Sequence, residues 1–256
     1  MSDPTQRFTD RVADYVRYRP GYPPTLLDYL QQLCGLSPTD RIADVGSGTG
    51  QLTRLFLAGG YWVYGVEPNP AMRQAAESQL AACRRFYSQP GRAEATGLPD
   101  ASVALVVAGQ AFHWFDPDLS RAEFQRILSP GGCVALVWNN RDQTHPFQRA
   151  YESLLLQYAP AYSAVRHRRQ DTLAQMQPFY GPSAPHTHTL DYCQSLDWAG
   201  LWGRLMSCSY APRPEHPNHL PLKKALKDLF RGHQEQESIN FIYQTRVYCG
   251  LLLSTR

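Results

Sequence analysis

Closely spaced cysteines and long apolar runs are both absent from this chain of 256 residues. Its six cysteines stand at positions 34, 83, 133, 193, 208 and 249, and no two have the short spacing typical of zinc ligands. We therefore expect reduced, mostly buried thiols and no metal site. No apolar run approaches the ~20 residues that cross a membrane, and residues 1–7 lack the apolar segment of an export signal. The composition predicts a soluble, cytoplasmic protein.

A large excess of charge of one sign is also absent. The chain carries 25 Lys and Arg against 22 Asp and Glu, a formal net charge of +3, and the basic residues are spread along its length. The one dense basic run, residues 166–169, is short and is interpreted as a solvated loop or helix face. A nucleic-acid partner is therefore not indicated. The length fits one domain with an elaboration.

Three glycines follow directly after a short apolar run. Residues 41–45 read Arg-Ile-Ala-Asp-Val, then come Gly46, Gly48 and Gly50, and an amphipathic pattern begins at Gln51. This order predicts a strand, a tight turn and a helix. Because glycine has no Cβ, the backbone of the turn can adopt positive φ and a ligand can lie directly against it.

A second apolar run, residues 61–66, ends in Glu67 and is followed by Pro68. In a doubly wound sheet the carboxyl end of the second strand lies beside the glycine turn. A carboxylate there can accept hydrogen bonds from the two vicinal hydroxyls of a ribose. The two features together predict a nucleoside site.

The glycine spacing restricts which nucleoside the site can bind. The dinucleotide fingerprint requires a glycine where this chain has Gln51, and no Gly-Lys-Ser/Thr sequence ends the turn, so a phosphate loop is excluded. A nicotinamide-dependent oxidoreductase is left as the weaker alternative. The pattern Asp44-x-Gly46-x-Gly48-x-Gly50 with a later acid resembles motif I of the class I S-adenosylmethionine-dependent methyltransferases.

The segment before the first strand is rich in aromatic and basic residues. Tyr15, Tyr18, Arg19 and Tyr22 offer π faces and a fixed cation, which suit a sulfonium or an acidic substrate. A strap packed on the surface is the alternative. The run from Tyr15 to Pro23 resembles the opening of a methyltransferase subgroup similar to the trans-aconitate methyltransferases. This resemblance implies that the N-terminal arm helps to cover the cofactor.

The loop before the fourth predicted strand contains Ala93 and Glu94. The same resemblance implies that these two residues flank the adenine, with a backbone amide reaching a ring nitrogen and the acid accepting a hydrogen bond from the exocyclic amine. Adenine presents one donor and one acceptor along that edge, so the chemistry is consistent. A solvated glutamate is the alternative.

The fourth predicted strand ends in Gly-Gln110-Ala-Phe112-His113-Trp114. Open α/β sheets bind ligands at the carboxyl ends of their strands, so this segment marks the expected reaction cleft. His113 is either a general base or a hydrogen-bonding partner. Trp114 is expected to contact the methionine part of the cofactor or the acceptor. The segment also resembles the corresponding stretch of the methyltransferase subgroup.

Residues beyond 141 resemble the family least. The sequence predicts a helix over 146–176, a loop over 178–185, a strand over 186–192, a capping helix over 197–209 and a closing strand over 241–249. His186 and His188 lie on one side of the predicted strand, but no third ligand has a matching spacing. A polar strand face is favoured over a metal site there.

Repeated alternation of strands and helices predicts a parallel sheet with right-handed crossovers. The resemblance implies an α/β, Rossmann-like, doubly wound sheet of seven strands, the last antiparallel, with helical lid insertions. The expected organisation is an arm and helix over 1–40, a cofactor-binding core over 41–140, and cap helices with the last two strands over 141–256.

The resemblance implies a transferase that moves a methyl group from S-adenosylmethionine to a small molecule, with a carboxylate considered as acceptor, by in-line displacement. A non-catalytic cofactor-binding regulator or scaffold is the alternative, and a monomer or homodimer is expected. Expected cofactor contacts are Asp44, Gly46, Ser47, Gly48, Gly50, Glu67, Pro68, Ala93, Glu94 and Gln110. Expected substrate and lid residues are Tyr15, Tyr18, Arg19, Tyr22, Phe112 and Trp114. The candidate base is His113.

Overall fold

The computed structural model describes residues 12–165, 176, 178–182 and 184–252. The basic run over 166–169 and the first residues of the chain lie outside these ranges. The described helices are α1 (Val12–Tyr18), α2 (Thr25–Cys34), α3 (Gln51–Ala58), α4 (Pro70–Leu80), α5 (Pro117–Ile127), α6 (Pro146–Tyr158), α7 (Trp198–Met206) and α8 (His219–His233). The strands are β1 (Arg41–Val45), β2 (Trp62–Val66), β3 (Phe86–Gln89), β4 (Val103–Gly109), β5 (Leu128–Arg141), β6 (His186–Leu196) and β7 (Ile239–Gly250).

The seven strands form one sheet in the order β3-β2-β1-β4-β5-β7-β6. Strands β1 to β5 pair in parallel, whereas β7 pairs antiparallel with both β5 and β6. The expected α/β, Rossmann-like sheet with an antiparallel last strand is therefore confirmed. The order reverses between β1 and β4, and such a reversal opens a crevice at the carboxyl ends of the strands.

Both faces of the sheet are covered, which explains why its central strands are apolar throughout. Along β1, Ile42 packs on the side of α2 and α3, while the next residue, Ala43, packs on the side of α5. Successive side chains of a strand point to opposite faces, so a doubly covered strand needs apolar residues at every position. Residues 42–45 are buried accordingly.

Two helices begin at side chains that cap them. The Asn69 side chain accepts hydrogen bonds from the backbone amides of Ala71 and Met72, and Pro70 occupies the first turn of α4. Asp116 likewise accepts from the amides of Asp118 and Leu119 at the start of α5. These bonds satisfy amides that have no partner within the helix, and they orient both helices where they leave the carboxyl edge of the sheet.

Three elements differ from the sequence-based expectation. The helix predicted over 146–176 is interrupted after Tyr158, because Pro160 cannot continue it; residues 162–165 are helical again, and residues 166–175 lie outside the described ranges. Residues 178–180 form a helical turn with Phe179 and Tyr180 buried, rather than an open loop. The sequence Ser-Pro-Gly-Gly over 129–132 predicts a turn into a strand from Cys133, but strand β5 already begins at Leu128, which pairs with Val103 before the register shifts.

The helices that follow β5 form a third apolar cluster. Phe147 and Tyr151 of α6, Leu201 of α7 and Leu226 of α8 are buried together against Phe241 of β7. This cluster joins the cap helices to the antiparallel end of the sheet. Within the described ranges, no helix is long and apolar enough to span a membrane.

The N-terminal arm is held by contacts at both of its ends. Gln51 donates a side-chain hydrogen bond to the Val16 carbonyl at 3.3 Å, and Gln194 donates one to the Tyr18 carbonyl at 3.2 Å. Gly203 of α7 lies so close to the Tyr18 ring that a Cβ at this position would overlap it. The arm therefore crosses from the glycine turn to the cap helices.

Replacing Asp116 by alanine should lower the free energy of unfolding by about 1 kcal/mol, because two amides at the start of α5 lose their acceptor. Asp116→Asn should keep most of the stability, since asparagine also caps helices. Leu119→Ala, at a side chain that is 59% exposed, is the control. Urea denaturation measures all three. Equal losses for Asp116→Ala and Asp116→Asn would show that the cap does not stabilise the helix.

Candidate functional site

One cavity of about 240 Å³ lies at the carboxyl edge of the sheet. The ends of β1, β2, β4 and β5 form its floor, and the N-terminal arm and α7 lie over it. Most of the predicted site residues line it, namely Tyr15, Arg19, Gly46, Gly48, Glu67, Pro68, Ala93, Glu94, Gln110, His113 and Trp114. A smaller adjoining cavity of about 60 Å³ is lined by Asp44, Ser47 and Tyr22.

The three glycines of the turn have positive φ, but they serve different purposes. A Cβ at Gly46 would lie 2.6 Å from the Cβ of Ala111, so this glycine permits close packing. A Cβ at Gly48 would point into open space, with no neighbour nearer than an atom of Tyr15 at 4.0 Å. Gly50 precedes α3 and does not line either cavity. Gly48 is therefore the glycine whose bare backbone a ligand can contact.

Glu67 connects the end of β2 to the glycine turn. Its Oε2 accepts a hydrogen bond from the Gly48 amide at 2.9 Å, and its Oε1 accepts one from the Asn69 amide at 2.9 Å. The side chain is nearly buried, and this burial raises the pKa of Glu67. Because a carboxylate oxygen has two acceptor positions, Glu67 can still bind donor groups of a ligand.

Asp44 lies beneath the turn, in the wall of the smaller cavity. Asp44 is 1% exposed, and its Oδ2 accepts a hydrogen bond from the Thr53 hydroxyl at 2.6 Å. Burial raises the pKa of Asp44 to about 7, against 3.8 for an ordinary aspartate. The hydrogen bond from Thr53 lowers the pKa and so limits this rise. A buried acid that titrates near neutral pH marks a functional site more often than a purely structural one.

Ala93 and Glu94 lie at the far side of the main cavity. Ala93 is 3% exposed. Glu94 accepts a hydrogen bond from the Asp116 amide at 2.8 Å, and its other oxygen lies 3.6 Å from Nε of Arg92. The Asp116 amide and Arg92 thus hold the Glu94 carboxylate in place at the wall of the cavity.

The end of β4 brings Gln110, His113 and Trp114 to the cavity. Gln110 has a φ of 59°, an uncommon conformation for a residue with a side chain, and its amide group donates to the Asn139 carbonyl at 3.0 Å. The rings of His113 and Trp114 are 4.7 Å apart. Such backbone strain at a cavity is typical of a functional site.

Phe112 and Tyr18 lie elsewhere than expected. Phe112 is 1% exposed and packs edge-on against Trp138 and Phe179 in the core. Tyr18 packs on Gly203 and anchors the arm. Neither residue lines the two cavities. The short 3₁₀ turn after β4 explains the difference for Phe112, because it directs adjacent side chains to opposite sides.

Arg19 and Tyr22 bring the arm to the floor of the cavities. The Arg19 guanidinium lies over the Tyr15 ring, 4.6 Å from its centroid, and donates a hydrogen bond to the Ser207 carbonyl at 3.1 Å. Burial raises the pKa of Tyr22 well above its ordinary value. The Tyr22 hydroxyl therefore stays protonated and can act as a hydrogen-bond donor.

Several cavity residues were missed in the sequence, above all Arg141, Tyr162 and Arg204. Arg141 ends β5, so its position at a strand's carboxyl end was the available signal. Arg204 falls among the buried residues of α7, where a charged residue within an apolar helix face is unusual. No sequence pattern indicated Tyr162, because only the turn of the chain after α6 brings this residue to the cavity.

Two arginines that line the cavity, half-buried Arg19 and buried Arg204, have no acidic partner among the described residues. Arg204 is 6% exposed, donates from Nε to the Tyr243 hydroxyl and lies 3.5 Å from the Cys208 sulfur through Nη1. In the part of the chain that the structure describes, no carboxylate lies within 4.0 Å of Arg19 or Arg204. Burial alone would raise the pKa of Cys208, but these two arginines bring it down to about 7.

Arg141 differs, because it pairs with an acid. Its Nη2 lies 2.7 Å from Glu152 and also bonds the Tyr162 hydroxyl. Its Nη1 is buried and has no hydrogen-bond partner among the described residues. An unsatisfied buried donor costs about 1–3 kcal/mol, so a ligand acceptor at this position would be stabilising.

Asp44 generates a prediction about stability and pH. Between about pH 4 and pH 7 the folded chain retains a proton on Asp44 that the unfolded chain has released, so stability falls as the pH rises through this window. Asp44→Asn should remove that fall, because the amide oxygen can still accept from Thr53 but cannot ionise. The expected gain is at most about 4 kcal/mol above pH 7, for about three pKa units.

The measurement is urea denaturation of the unmodified protein and of the Asp44→Asn variant at pH 4 and at pH 8. The gain from Asp44→Asn should be close to zero at the lower pH. Asp118→Asn, at an exposed acid, is the matched control and should show no such pH dependence. A gain of equal size at both pH values would rule out ionisation of Asp44 as its cause.

Comparison with known proteins identifies the family. The pattern described as a methyltransferase domain matches residues 43–136. The uncharacterized methyltransferase Rv3342 of Mycobacterium tuberculosis is 38% identical over 141 residues, and this match spans about half of each chain, 55% in both cases.

A solved structure from Anaeromyxobacter dehalogenans is described as a candidate type II methyltransferase. It has a TM-score of 0.68 and 24% identity over 93% of this chain and 100% of that chain, so the two chains have the same fold. The methyltransferase-like protein C25B8.10 of Schizosaccharomyces pombe is 34% identical over 249 residues, covering 94% of this chain and 93% of that protein. This chain therefore belongs to the methyltransferase-domain family.

Proposed function

We propose that this protein transfers a methyl group from S-adenosylmethionine to a small anionic acceptor, with a carboxylate as the group that is methylated. The observation that carries the proposal is that one cavity is lined both by a glycine turn with a nearby acid, Glu67, and by two arginines, half-buried Arg19 and buried Arg204. Among the described residues, no carboxylate lies within 4.0 Å of either arginine. The glycine turn suits a nucleoside, and the arginines suit an anion.

The residues at the glycine turn fit this cofactor in shape and charge. The open space above Gly48 leaves backbone for a ligand to contact, and Glu67 has free acceptor capacity for ribose hydroxyls. Glu94, held by the Asp116 amide, would accept from the adenine amine. Asp44, when ionised, would favour the cationic end of the cofactor. When bound, S-adenosylmethionine supplies a methyl group already activated by a sulfonium.

The arginines would bind and orient the acceptor. Arg19 and Arg204 present charged donors that have no carboxylate partner in the described part of the chain, and the buried Nη1 of Arg141 is a further donor. Charge-assisted hydrogen bonds to a carboxylate are about twice as strong as neutral ones. A carboxylate is nucleophilic as it stands, so the reaction would need no base. His113 would act as a base only toward a hydroxyl or amine acceptor.

Alignment and exclusion of water would be the main contributions of the chain. The arm and α7 lie over the cavity, with Tyr18 packed on Gly203 and Arg19 bonded to Ser207. Holding two reactants in line can supply about 7–11 kcal/mol of the barrier. The volume of the cavity, about 240 Å³, supports a small acceptor rather than a polymer.

Calorimetric titration with S-adenosylmethionine, its demethylated product and NAD tests the cofactor. We expect the first two to bind and NAD not to bind. Glu67→Gln should weaken binding about 10- to 100-fold, since a hydrogen bond to a charged group is worth about 1.5–3 kcal/mol. Glu235→Gln, at an exposed acid in the turn before β7, is the control. Binding of NAD alone would exclude the methyltransferase proposal.

Arg204→Met tests the acceptor. The substitution should raise KM for an acidic acceptor about 10- to 100-fold, because a charged donor is lost, and should leave cofactor affinity unchanged. Arg92→Met, at an arginine on the opposite side of the cavity whose side chain is 59% exposed, is the matched control. The assay screens small carboxylic acids against their neutral amides and measures the methylated product. Equal effects of Arg204→Met on acids and amides would exclude charge recognition.

The same assay separates the remaining alternatives. His113→Ala should retain turnover on a carboxylate, whereas loss of turnover with normal cofactor binding would indicate a base and therefore a different acceptor group. Cofactor binding without product from any acceptor would favour the non-catalytic regulator or scaffold instead.

A further inference from the structure

Three cysteine side chains that are distant in sequence meet on one face of the sheet. Cys34 is the last residue of α2, Cys133 lies in β5, and Cys249 lies near the end of β7. Their sulfur atoms all lie within 4.8 Å of one another, and those of Cys34 and Cys249 are 3.4 Å apart. All three thiols are free. They form a compact set of donors that no short sequence spacing could indicate.

The backbone accounts for this meeting. Cys249 pairs directly with Ala135 in the antiparallel β5–β7 ladder. Cys133 precedes Ala135 by two residues, so its side chain points to the same face. Helix α2 covers that face, with Leu30 packed in the same cluster as Cys133 and Cys249, and ends with Cys34 beside them. The register of the strands, not a chance rotamer, brings the sulfur atoms together.

A histidine lies beside this cluster in the sheet. His186 pairs directly with Cys249 in the β6–β7 ladder, and directly opposed residues of an antiparallel pair lie on the same face. The three sulfur atoms form the 4.8 Å group without His186, so its ring must turn toward them to complete a site. His186 is exposed, whereas His188 stacks on Tyr29 at 4.3 Å.

We propose that Cys34, Cys133 and Cys249 bind a thiophilic divalent cation of the Zn²⁺ type, with His186 as the fourth ligand. Zinc binds sulfur at about 2.3 Å, which places the sulfur atoms of a tetrahedral site about 3.8 Å apart. The sulfur atoms of Cys34 and Cys249 are 3.4 Å apart and no pair is more than 4.8 Å apart, so side-chain adjustment is enough to reach that value. Three thiolates and one imidazole are a common zinc ligand set, and each thiol releases its proton to solvent on binding.

The site is separate from the cavity at the carboxyl edge. None of its four residues lines that cavity, and Cys133 pairs with Leu105 toward the amino ends of the parallel strands. A bound cation would join α2 to the last strand of the sheet. The inference therefore does not depend on the proposed methyl transfer.

The first test adds Zn²⁺ to the reduced, intact chain in competition with a chromophoric chelator. We expect one equivalent to bind, with release of protons. Co²⁺ in place of Zn²⁺ should give the near-ultraviolet thiolate-to-metal absorption and the visible bands of a tetrahedral site. Because this measurement needs no substitution, absence of stoichiometric binding or of the thiolate absorption would overturn the proposal.

Single substitutions identify the ligands. Cys34→Ser and Cys133→Ser should each lower Zn²⁺ affinity about 100-fold or more, because even residues outside the ligand set change metal affinity about 10- to 100-fold. Cys193→Ser, at an exposed thiol of β6, should change nothing. An equal loss in Cys193→Ser, or an unchanged affinity in Cys34→Ser, would contradict the assignment.

The imidazole is tested by a matched pair. His186→Ala should weaken Zn²⁺ binding and change the Co²⁺ spectrum, whereas His188→Ala should do neither. Unchanged binding in His186→Ala would remove His186 from the ligand set. Circular dichroism establishes that each variant is folded before its affinity is compared.

Discussion

The hydrogen bond from the Gly48 amide to the Glu67 carboxylate is the interaction on which the cavity depends. It joins the ends of two parallel strands, β1 and β2, through a turn whose glycines adopt positive φ without the strain that a side chain would add. Since the second oxygen of Glu67 accepts from Asn69, the same carboxylate also fixes the start of α4. One buried acid thus sets the geometry of the turn, of the strand end and of the helix beside it.

Acidic and basic side chains line the same cavities without forming ion pairs. Asp44 and Glu67 are buried at the glycine turn, where burial raises the pKa of both carboxyl groups. Arg19 and Arg204 line both cavities, and no carboxylate among the described residues lies within 4.0 Å of either guanidinium group. Joining these charges directly would lower the energy of the empty protein. Keeping them apart is destabilising, and such a cost is expected where a ligand supplies the missing partners.

Sequence patterns predict the first half of the fold well, because its signals are local. The apolar run before Gly46, the capping residues Asn69 and Asp116, and the acid at Glu67 each act on neighbouring residues, and the structure has a strand, a helix start or a strand end at each. The parallel pairing of β1 to β5 then follows from the alternation of strands and helices. The family resemblance added the antiparallel last strand, which local signals do not contain.

The parts that the sequence did not predict depend on contacts between distant segments. Phe112 and Trp114 are aromatic residues separated only by His113, and the turn after β4 alone decides that Phe112 enters the core while Trp114 faces the cavity. Arg204 reaches the cavity because α7 packs across the arm, a tertiary contact with no periodic signal. The thiols of Cys34 and Cys249 meet across a separation of 215 residues. In each case the side chain's chemistry was visible in the sequence, but its neighbours were not.

The position of the arm has a consequence for the order of ligand binding. Tyr15 and Arg19 line both cavities, and the arm is held by single hydrogen bonds from Gln51 and Gln194 and by the packing of Tyr18 on Gly203. A short helix with no buried residue of its own has little intrinsic stability. A ligand that contacts Tyr15 would therefore stabilise the arm, and the ordered arm would bring Arg19 toward the acceptor end. Cofactor binding before acceptor binding is the order that this coupling favours, because the first ligand completes the site for the second.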